Sequence, residues 1–307
     1  MELKPTVWFD EVVKTYHIIA PHIHHTQVVT CPDLNEELGG KFLFKPESLQ
    51  ITGSFKVRGA LSAISRLSKD ELKRGVIAYS SGNHAQGVAH AAKVFNTPAT
   101  VVMPKDAPAR KIANAKALGA QVIHYDRRTE SREEISREIA KEKNLVIINP
   151  YDALETIYGQ GTAAYEVIND ANNPKLDNAI ICAGGGGLTA GSCISIKHIN
   201  SECNVFTAEP EEWNDHQLSF EKNERIFDFG VDSNKINKKI FQNLFETKKQ
   251  KILFFVFEES FQKILWKKFI FYVKKKNFIT FLRFKMFLKI YFFLIMVPLS
   301  SLCCLRC

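Results

Sequence analysis

Apolar positions along the chain keep two rhythms, one helical and one of short unbroken runs, up to about Ala208. Trp8, Phe9, Val12, Val13, Tyr16 and Ile19 recur at helical spacing and predict a helix over 8–19. Phe42-Leu43-Phe44, closing at Pro46, predicts a short strand. Val57, Leu61, Ile64 and Leu67 return to the helical period, and Ser68-Lys69-Asp70-Glu71 has capping-box spacing, so another short helix starts there. The two rhythms then alternate. Gly75–Tyr79 reads as strand, His84–Phe95 as helix, Ala99–Met103 as strand, and Pro108–Leu118 as helix stopped by Gly119. Gln121–His124 is a strand, Ser131–Lys143 a helix behind a Ser131/Glu134 capping box, and Leu145–Ile148 a strand. A second series has a helix around Gly161–Ile168, the strand Asn178–Cys182, the helix Leu188–His198 and the strand Asn204–Ala208. Strands alternating with helices of this length predict parallel βαβ units, an α/β protein with two sheets. Pro150-Tyr151-Asp152 marks the crossing between them.

From Phe227 onward the rhythm stops. About two-thirds of the 23 phenylalanines lie there, mixed with Lys, Ile and Asn, and no glycine follows Gly230. This composition reads as translated AT-rich non-coding sequence, a frameshift or intron read-through. A membrane anchor is the competing reading, because Met286 to Leu305 is mostly apolar and near bilayer length. Lys289 and Pro298 interrupt that run. The ending Cys304-Leu305-Arg306-Cys307 has the form of a prenylation box but carries Arg306 where an aliphatic residue is wanted.

Composition changes this picture in one respect. The 307 residues are 45% apolar and 24% charged, enough for one large or two modest domains. The formal charge of +8 would point to a nucleic-acid or membrane partner, yet 16 basic and 5 acidic residues lie from Phe227 onward, leaving 25 basic against 28 acidic before it. The body is mildly acidic and gives no reason to expect a nucleic-acid partner. Cys31, Cys182, Cys193 and Cys203 have no metal-ligand spacing, and Met1-Glu2-Leu3-Lys4 begins no secretory signal, so reduced thiols in a cytoplasmic protein are expected. Cys303, Cys304 and Cys307 fall in the tail.

Three stretches carry candidate chemistry. In Thr52-Gly53-Ser54-Phe55-Lys56-Val57-Arg58-Gly59-Ala60 a lysine sits among small residues at a helix entry. A lysine partly desolvated there would supply a neutral amine for a Schiff base, although a solvated surface lysine would look the same alone. Gly184-Gly185-Gly186-Gly187-Leu188-Thr189-Ala190-Gly191 joins a strand to a helix. Its glycines let successive N–H groups converge at the positive end of a helix dipole, an anion cradle or else a plain tight turn. It lacks the GK[ST] ending of a P-loop and the spacing of G-x-G-x-x-G, so a monophosphate suits it better than a nucleotide. Ser80-Ser81-Gly82-Asn83-His84 also follows a strand and opens a helix, where hydroxyls, an amide and helix N–H groups could hold a carboxylate or phenolate oxygen, or simply cap the helix. Together, a Schiff-base lysine, a phosphate cradle and a carboxylate-binding helix start imply pyridoxal 5'-phosphate (PLP) chemistry on an amino acid.

The stretches GSFKVRGA, SSGNHAQG, PKDAPARKIANAKALGA, GQGT at Gly159–Thr162, AGGGGLTAG and TAEP at Thr207–Pro210 resemble, in that order, the fold-type II PLP enzymes, specifically the threonine/serine dehydratase and serine racemase group. The likeness spans residues 8–226. It implies a tryptophan synthase β-like fold of two parallel-sheet, three-layer domains: a large cofactor-binding domain over 1–70 and 151–226, a small domain inserted at 71–150, and a tail over 227–307. By that resemblance Lys56 forms the Schiff base with the cofactor and takes the substrate Cα proton. Phe55 packs beside the cofactor, Asn83 bonds its 3-oxygen, and Gly184, Gly185, Gly186, Gly187 and Leu188 hold its phosphate. Ser81 is similar to the second acid/base of serine racemases, which faces the lysine across the cofactor. Ser80, Ser81, Asn83 and His84 would hold the substrate carboxylate, with Arg132 on the substrate side. Glu209, Asp215 and the Trp213 carbonyl match a site for Mg2+ or another divalent cation, although two surface carboxylates would look alike.

The resemblance implies α,β-elimination of water from L-threonine or L-serine by a homodimer, with serine racemase as the alternative reaction. The family's Ser/Thr/Cys-Gly-Gly-Asn-type segment, which holds the pyridine nitrogen, has no counterpart here. The expected large domain is therefore incomplete at its C-terminal side, and a catalytically silent PLP-binding remnant is the alternative of another class.

Overall fold

The computed structural model describes residues 5–170, 175–209, 215–224 and 251–256. The chain opens with α1 (Pro5–Ile19), then β1 (Val29–Thr30), α2 (Pro32–Leu38), ended by Gly39 in the left-handed region, and β2 (Lys41–Pro46). After α3 (Lys56–Ile64) and α4 (Lys69–Arg74) comes the regular series. Its elements are β3 (Val76–Tyr79), α5 (Asn83–Val94), β4 (Ala99–Pro104), α6 (Ala109–Ala117), β5 (Gln121–Tyr125), α7 (Arg132–Lys143) and β6 (Val146–Ile147). A longer helix α8 (Leu154–Asp170) leads to β7 (Asn178–Cys182), α9 (Gly187–Ile199), β8 (Asn204–Ala208), α10 (Asp215–Lys222) and β9 (Lys251–Val256).

Two sheets result. The smaller has the order β5-β4-β3-β6 and is parallel throughout. Val76, Ala78, Val101 and Met103 point into one core with Val57, Leu61 and Ile64 of α3 and Val88 of α5, while Ile77 and Val102 point into a second with Tyr125 and Ala140. Burial on both faces is why these strands read as unbroken apolar runs rather than as alternation. The larger sheet has the order β1-β2-β9-β7-β8, antiparallel only between β1 and β2. The α/β class and the parallel sheets expected from the sequence are present.

The first expected capping box forms in full and the second only in its Ser131 half. Ser68 and Glu71 make the reciprocal box, and Ser131 Oγ accepts from the Glu134 backbone N–H at 3.2 Å.

The structure departs from expectation in two elements. The expected helix around Gly161–Ile168 starts seven residues earlier, at Leu154. Its glycines are contact points rather than breaks. A Cβ on Gly159 would stand 2.5 Å from the Arg58 carbonyl oxygen, and one on Gly161 2.7 Å from that of Gly191. The missing side chains let α3, α8 and α9 approach backbone to backbone. The second correction concerns the Phe/Lys-rich tail, which was expected to lie outside the fold. Its segment Lys251–Val256 is β9, paired in parallel with β2 on one side and β7 on the other, in the interior of the larger sheet. Met286 to Leu305 lies outside the described residues. Among the described residues no helix is long and apolar enough to cross a membrane.

Behind α3 four charged side chains are fully buried together. Arg58 Nε and Nη2 donate to the Glu47 carboxylate at 2.8 Å, and Nη1 and Nη2 donate to Glu166 at 2.6 and 2.8 Å. Lys45 Nζ donates at 2.5 Å to Glu166 Oε2, the oxygen that Arg58 Nη2 also reaches, and to the Thr26 carbonyl. Two cations and two anions leave no net charge, which is what makes their burial tolerable. The carboxylates hold Arg58 ionised against a burial cost that opposes it, while burial pushes Lys45 below the usual ammonium range despite Glu166. Arg58 lies two residues after Lys56, so this cluster fixes the helix that carries the lysine.

Candidate active site

Two of the three signature stretches sit where a strand of one of the parallel sheets gives way to a helix. β3 ends at Tyr79 and α5 begins at Asn83; β7 ends at Cys182 and α9 begins at Gly187. Ligands of open α/β sheets collect at such strand ends, because the helix N-termini there present unbonded amides. Between them lies a cleft of about 350 Å³, within the usual range for a small-molecule site. Its walls include Phe55, Lys56, Ser80, Ser81, Asn83, His84, Arg132 and Gly184 to Leu188. The cofactor and substrate residues picked from the sequence are thus brought together. Tyr79, Lys111, Pro150, Tyr151, Cys182 and Ala183 also line the cleft and carried no sequence signal of chemistry.

Lys56 is the first residue of α3 and is half-buried. Its Nζ donates to the Pro150 carbonyl oxygen at 2.7 Å and lies 5.3 Å from the centroid of the Phe55 ring. The amine is thereby anchored at the crossing between the two sheets. Opposite, Ser80 Oγ accepts from the Gly82 backbone N–H at 3.1 Å, shaping the turn into α5, and Ser81 is exposed to the cleft. A Cβ on Gly82 would stand 2.3 Å from Lys111 Cδ, so the Lys111 side chain lies along this turn.

His84 is 2% exposed, and its Nε2 lies 3.0 Å from the Ile148 carbonyl oxygen, so the ring donates from Nε2. Burial, with a smaller contribution from the Lys56 ammonium, lowers its pKa to about 3, and the ring is neutral. His84 therefore ties the start of α5 to the strand end that leads to Pro150. Its Nδ1 is buried without a hydrogen-bond partner. Arg132 opens α7, with Nε 2.7 Å from Glu133 Oε1 and its guanidinium 5.5 Å from the centroid of the Tyr79 ring.

The glycine loop is crowded by Tyr151. A Cβ on Gly185 would stand 2.1 Å from the Tyr151 ring and one on Gly187 2.3 Å from the Tyr151 carbonyl oxygen, while Gly186 has φ +82°. Only glycine permits this backbone path, which leaves the first amides of α9 facing the cleft. Thr189 Oγ1, in the same first turn, is buried with no partner.

The carboxylates proposed as cation ligands have other occupations. Glu209, 3% exposed at the end of β8, accepts the backbone N–H groups of His216 and Gln217, both at 3.1 Å, and so anchors the start of α10. Burial raises its pKa, against those hydrogen bonds. Asp215 is the first residue of α10, and Trp213 lies outside the described residues. Among the described residues no three His, Cys, Asp or Glu groups converge as a cation site.

Comparison with known proteins follows the same lines as the site. A family described as pyridoxal-phosphate dependent enzyme matches residues 19–238. The chain is 44% identical over 212 residues to an L-threo-3-hydroxyaspartate ammonia-lyase of Saccharomyces cerevisiae, covering 69% of this chain and 64% of that protein. It is 42% identical over 214 residues to a serine racemase of Schizosaccharomyces pombe, covering 70% and 66%. The solved structure of the processed form of threonine deaminase isoform 2 from Solanum lycopersicum superposes with a TM-score of 0.69 at 29% identity, covering 81% of this chain and 74% of that one. The chain belongs to the PLP-dependent enzyme family, in its fold-type II group of threonine/serine dehydratases and serine racemases. It spans just under two thirds of the length of the two curated relatives.

PLP fits the residues present. The glycine cradle, which a Cβ at Gly185 or Gly187 would obstruct, and the Lys56 amine share one cleft.

Proposed function

We propose that this chain carries the cofactor and substrate site of a PLP-dependent ammonia-lyase acting on L-threonine or L-serine. The observation that carries the proposal is the convergence of Lys56, the Ser80–Asn83 helix start and the Gly184–Leu188 cradle on one cleft. When bound, PLP supplies the electron sink that acidifies the substrate Cα–H bond. Gly184 to Leu188 bind the phosphate through the amides at the head of α9. Phe55 packs beside the ring, and Asn83 donates to its 3-oxygen. Ser80, Ser81, Asn83 and the amides of α5 hold the substrate carboxylate, with Arg132 on the same side.

Lys56 takes the Cα proton. The neutral His84 holds the start of α5 through the Ile148 carbonyl and adds no second cation beside Lys56. Loss of the Cα proton and the Cβ hydroxyl removes one water, and hydrolysis of the resulting enamine returns one, so the products are the 2-oxo acid and ammonia. In this reading 1–70 with 151–226, completed by the strand β9, form the cofactor-binding unit and 71–150 the smaller one, in a cytoplasmic homodimer. A second reading, serine racemase, is favoured by Ser81. It lines the same cleft as Lys56 with its side chain accessible, where a second acid/base would return a proton to the other face of Cα.

The test uses the purified full chain. Lys56→Ala is expected to abolish the visible absorbance of lysine-linked PLP and to lower release of 2-oxo acid from L-serine or L-threonine by at least about 10³-fold, the scale of losing a covalent acid/base group. Visible absorbance without 2-oxo acid or D-serine would leave cofactor binding and refute the enzyme. Ser81→Ala separates the two reactions, because racemisation should fall while elimination persists.

A further inference from the structure

The glycine loop has a support on the side away from the cleft. His216, in the first turn of α10, places its Nε2 2.6 Å from the Gly184 carbonyl oxygen. A carbonyl only accepts, so the imidazole donates there from Nε2. The ring also lies against Gly186, where a Cβ would stand 3.0 Å from His216 Cε1. His216 is not among the residues lining the cleft, whereas Gly184 to Leu188 are.

The peptide between Gly184 and Gly185 is planar and trans, so its C=O and N–H point in opposite directions. Holding the Gly184 carbonyl toward α10 turns the Gly185 N–H to the opposite face of the loop, which is the cleft. Glycine peptides flip easily, and nothing in Gly184 itself selects this orientation, since its Cβ position is open space. The selection comes from His216. Its own position is fixed by Glu209, whose buried carboxylate accepts the His216 backbone N–H.

From this geometry we propose that His216 is a positioning residue for phosphate binding, orienting the Gly184–Gly185 peptide so that its N–H faces the cofactor phosphate. The proposal rests on the PLP reading of the cleft and adds to it a residue that never touches the cofactor. It makes a distinction that general loosening of the fold would not. Loss of the imidazole should weaken ligands that carry the phosphate and spare those that do not.

The experiment titrates the full-length chain, freed of cofactor, with PLP and separately with pyridoxal, following visible absorbance. Wild type is compared with His216→Ala, His216→Phe, which keeps ring volume without a donor, and His216→Gln, which keeps a donor. Expected is about tenfold weaker PLP binding in the Ala and Phe variants, the scale of one lost hydrogen bond to the loop. Pyridoxal affinity should change less than about twofold, and His216→Gln should recover most of the PLP affinity. Far-UV circular dichroism and melting identify a variant that fails to fold, in which case the Phe and Gln pair decides. Equal weakening of both ligands, or unchanged PLP binding in His216→Phe, overturns the proposal while leaving the PLP reading intact. A wild-type chain that takes up no PLP would sink both.

Discussion

His84 shows how one residue serves chemistry and stability together. A histidine opening a helix beside two serines and an asparagine reads as a substrate contact, and it does line the cleft. Its burial and its bond to the Ile148 carbonyl could not be read from SSGNH, because they depend on where β6 ends. The pH consequence has a definite sign. The folded-state pKa is depressed, to about 3, below the unfolded value of about 6.5, so the contribution to stability is complete above pH 6.5. As pH falls from there toward 3, the unfolded chain takes up a proton that the folded chain refuses. Stability then drops by roughly 1.4 kcal/mol per pH unit from this group. His84→Gln retains an N–H for Ile148 but cannot ionise. Urea unfolding at pH 7 and pH 5 should show a loss smaller by about 2 kcal/mol in the variant. Equal losses in both proteins would contradict the buried neutral ring. Other residues were hidden for the same reason. Tyr151 crowds the glycine loop and Pro150 receives Lys56, and both come from the crossing between sheets, where no motif exists to read.

At the scale of elements, the βαβ series was legible because its central strands β3 and β4 are buried on both faces and read as unbroken apolar runs between helices of regular length. One of the two departures, the early start of α8, lies at glycines. Gly159 and Gly161 each cost about 1 kcal/mol relative to alanine inside a helix. Close helix packing outweighs that cost. A Cβ on Gly191 would stand 2.2 Å from the Ile157 carbonyl oxygen and 2.6 Å from the Gly161 nitrogen, both backbone atoms that cannot swing aside. Gly191→Ala should therefore destabilise the protein despite alanine's better helix propensity, by about 1–3 kcal/mol or more for overpacking at a backbone contact. A lower urea midpoint at unchanged slope would show it. A rise in stability would mean that α8 and α9 lie farther apart than described. The buried quartet of Lys45, Glu47, Arg58 and Glu166 was equally invisible. Its members come from β2, the turn after it, α3 and α8, and only the packing of those elements neutralises four charges that would otherwise look solvent-exposed.

For the whole molecule, the strand at Lys251–Val256 changes what completes the larger sheet. Composition from Phe227 onward hid it, because a region rich in phenylalanine and lysine obscures one run, KILFFV, with the β-branched and aromatic character of a strand. Its position is interior. Removing it would leave facing edges of β2 and β7 without ladder partners, and β7 leads directly into the glycine loop. Each ladder hydrogen bond is worth about 1 kcal/mol net, so losing a strand paired on both sides should cost on the order of 5 kcal/mol. That is a large part of the 5–15 kcal/mol typical of a folded protein. A chain ending at residue 226 should therefore melt well below the full chain, aggregate through the exposed edges and bind PLP poorly. One ending at residue 260 should keep most of both properties. If the shorter chain matched the full chain in melting temperature and PLP affinity, β9 would be dispensable to the sheet. The residues that define the cofactor site, all before Glu209, would then need nothing from the phenylalanine-rich region. If the expected gap appears, the cradle at Gly184–Leu188 depends on a strand some sixty residues further along the chain, and that dependence is written in backbone pairing rather than in any catalytic motif.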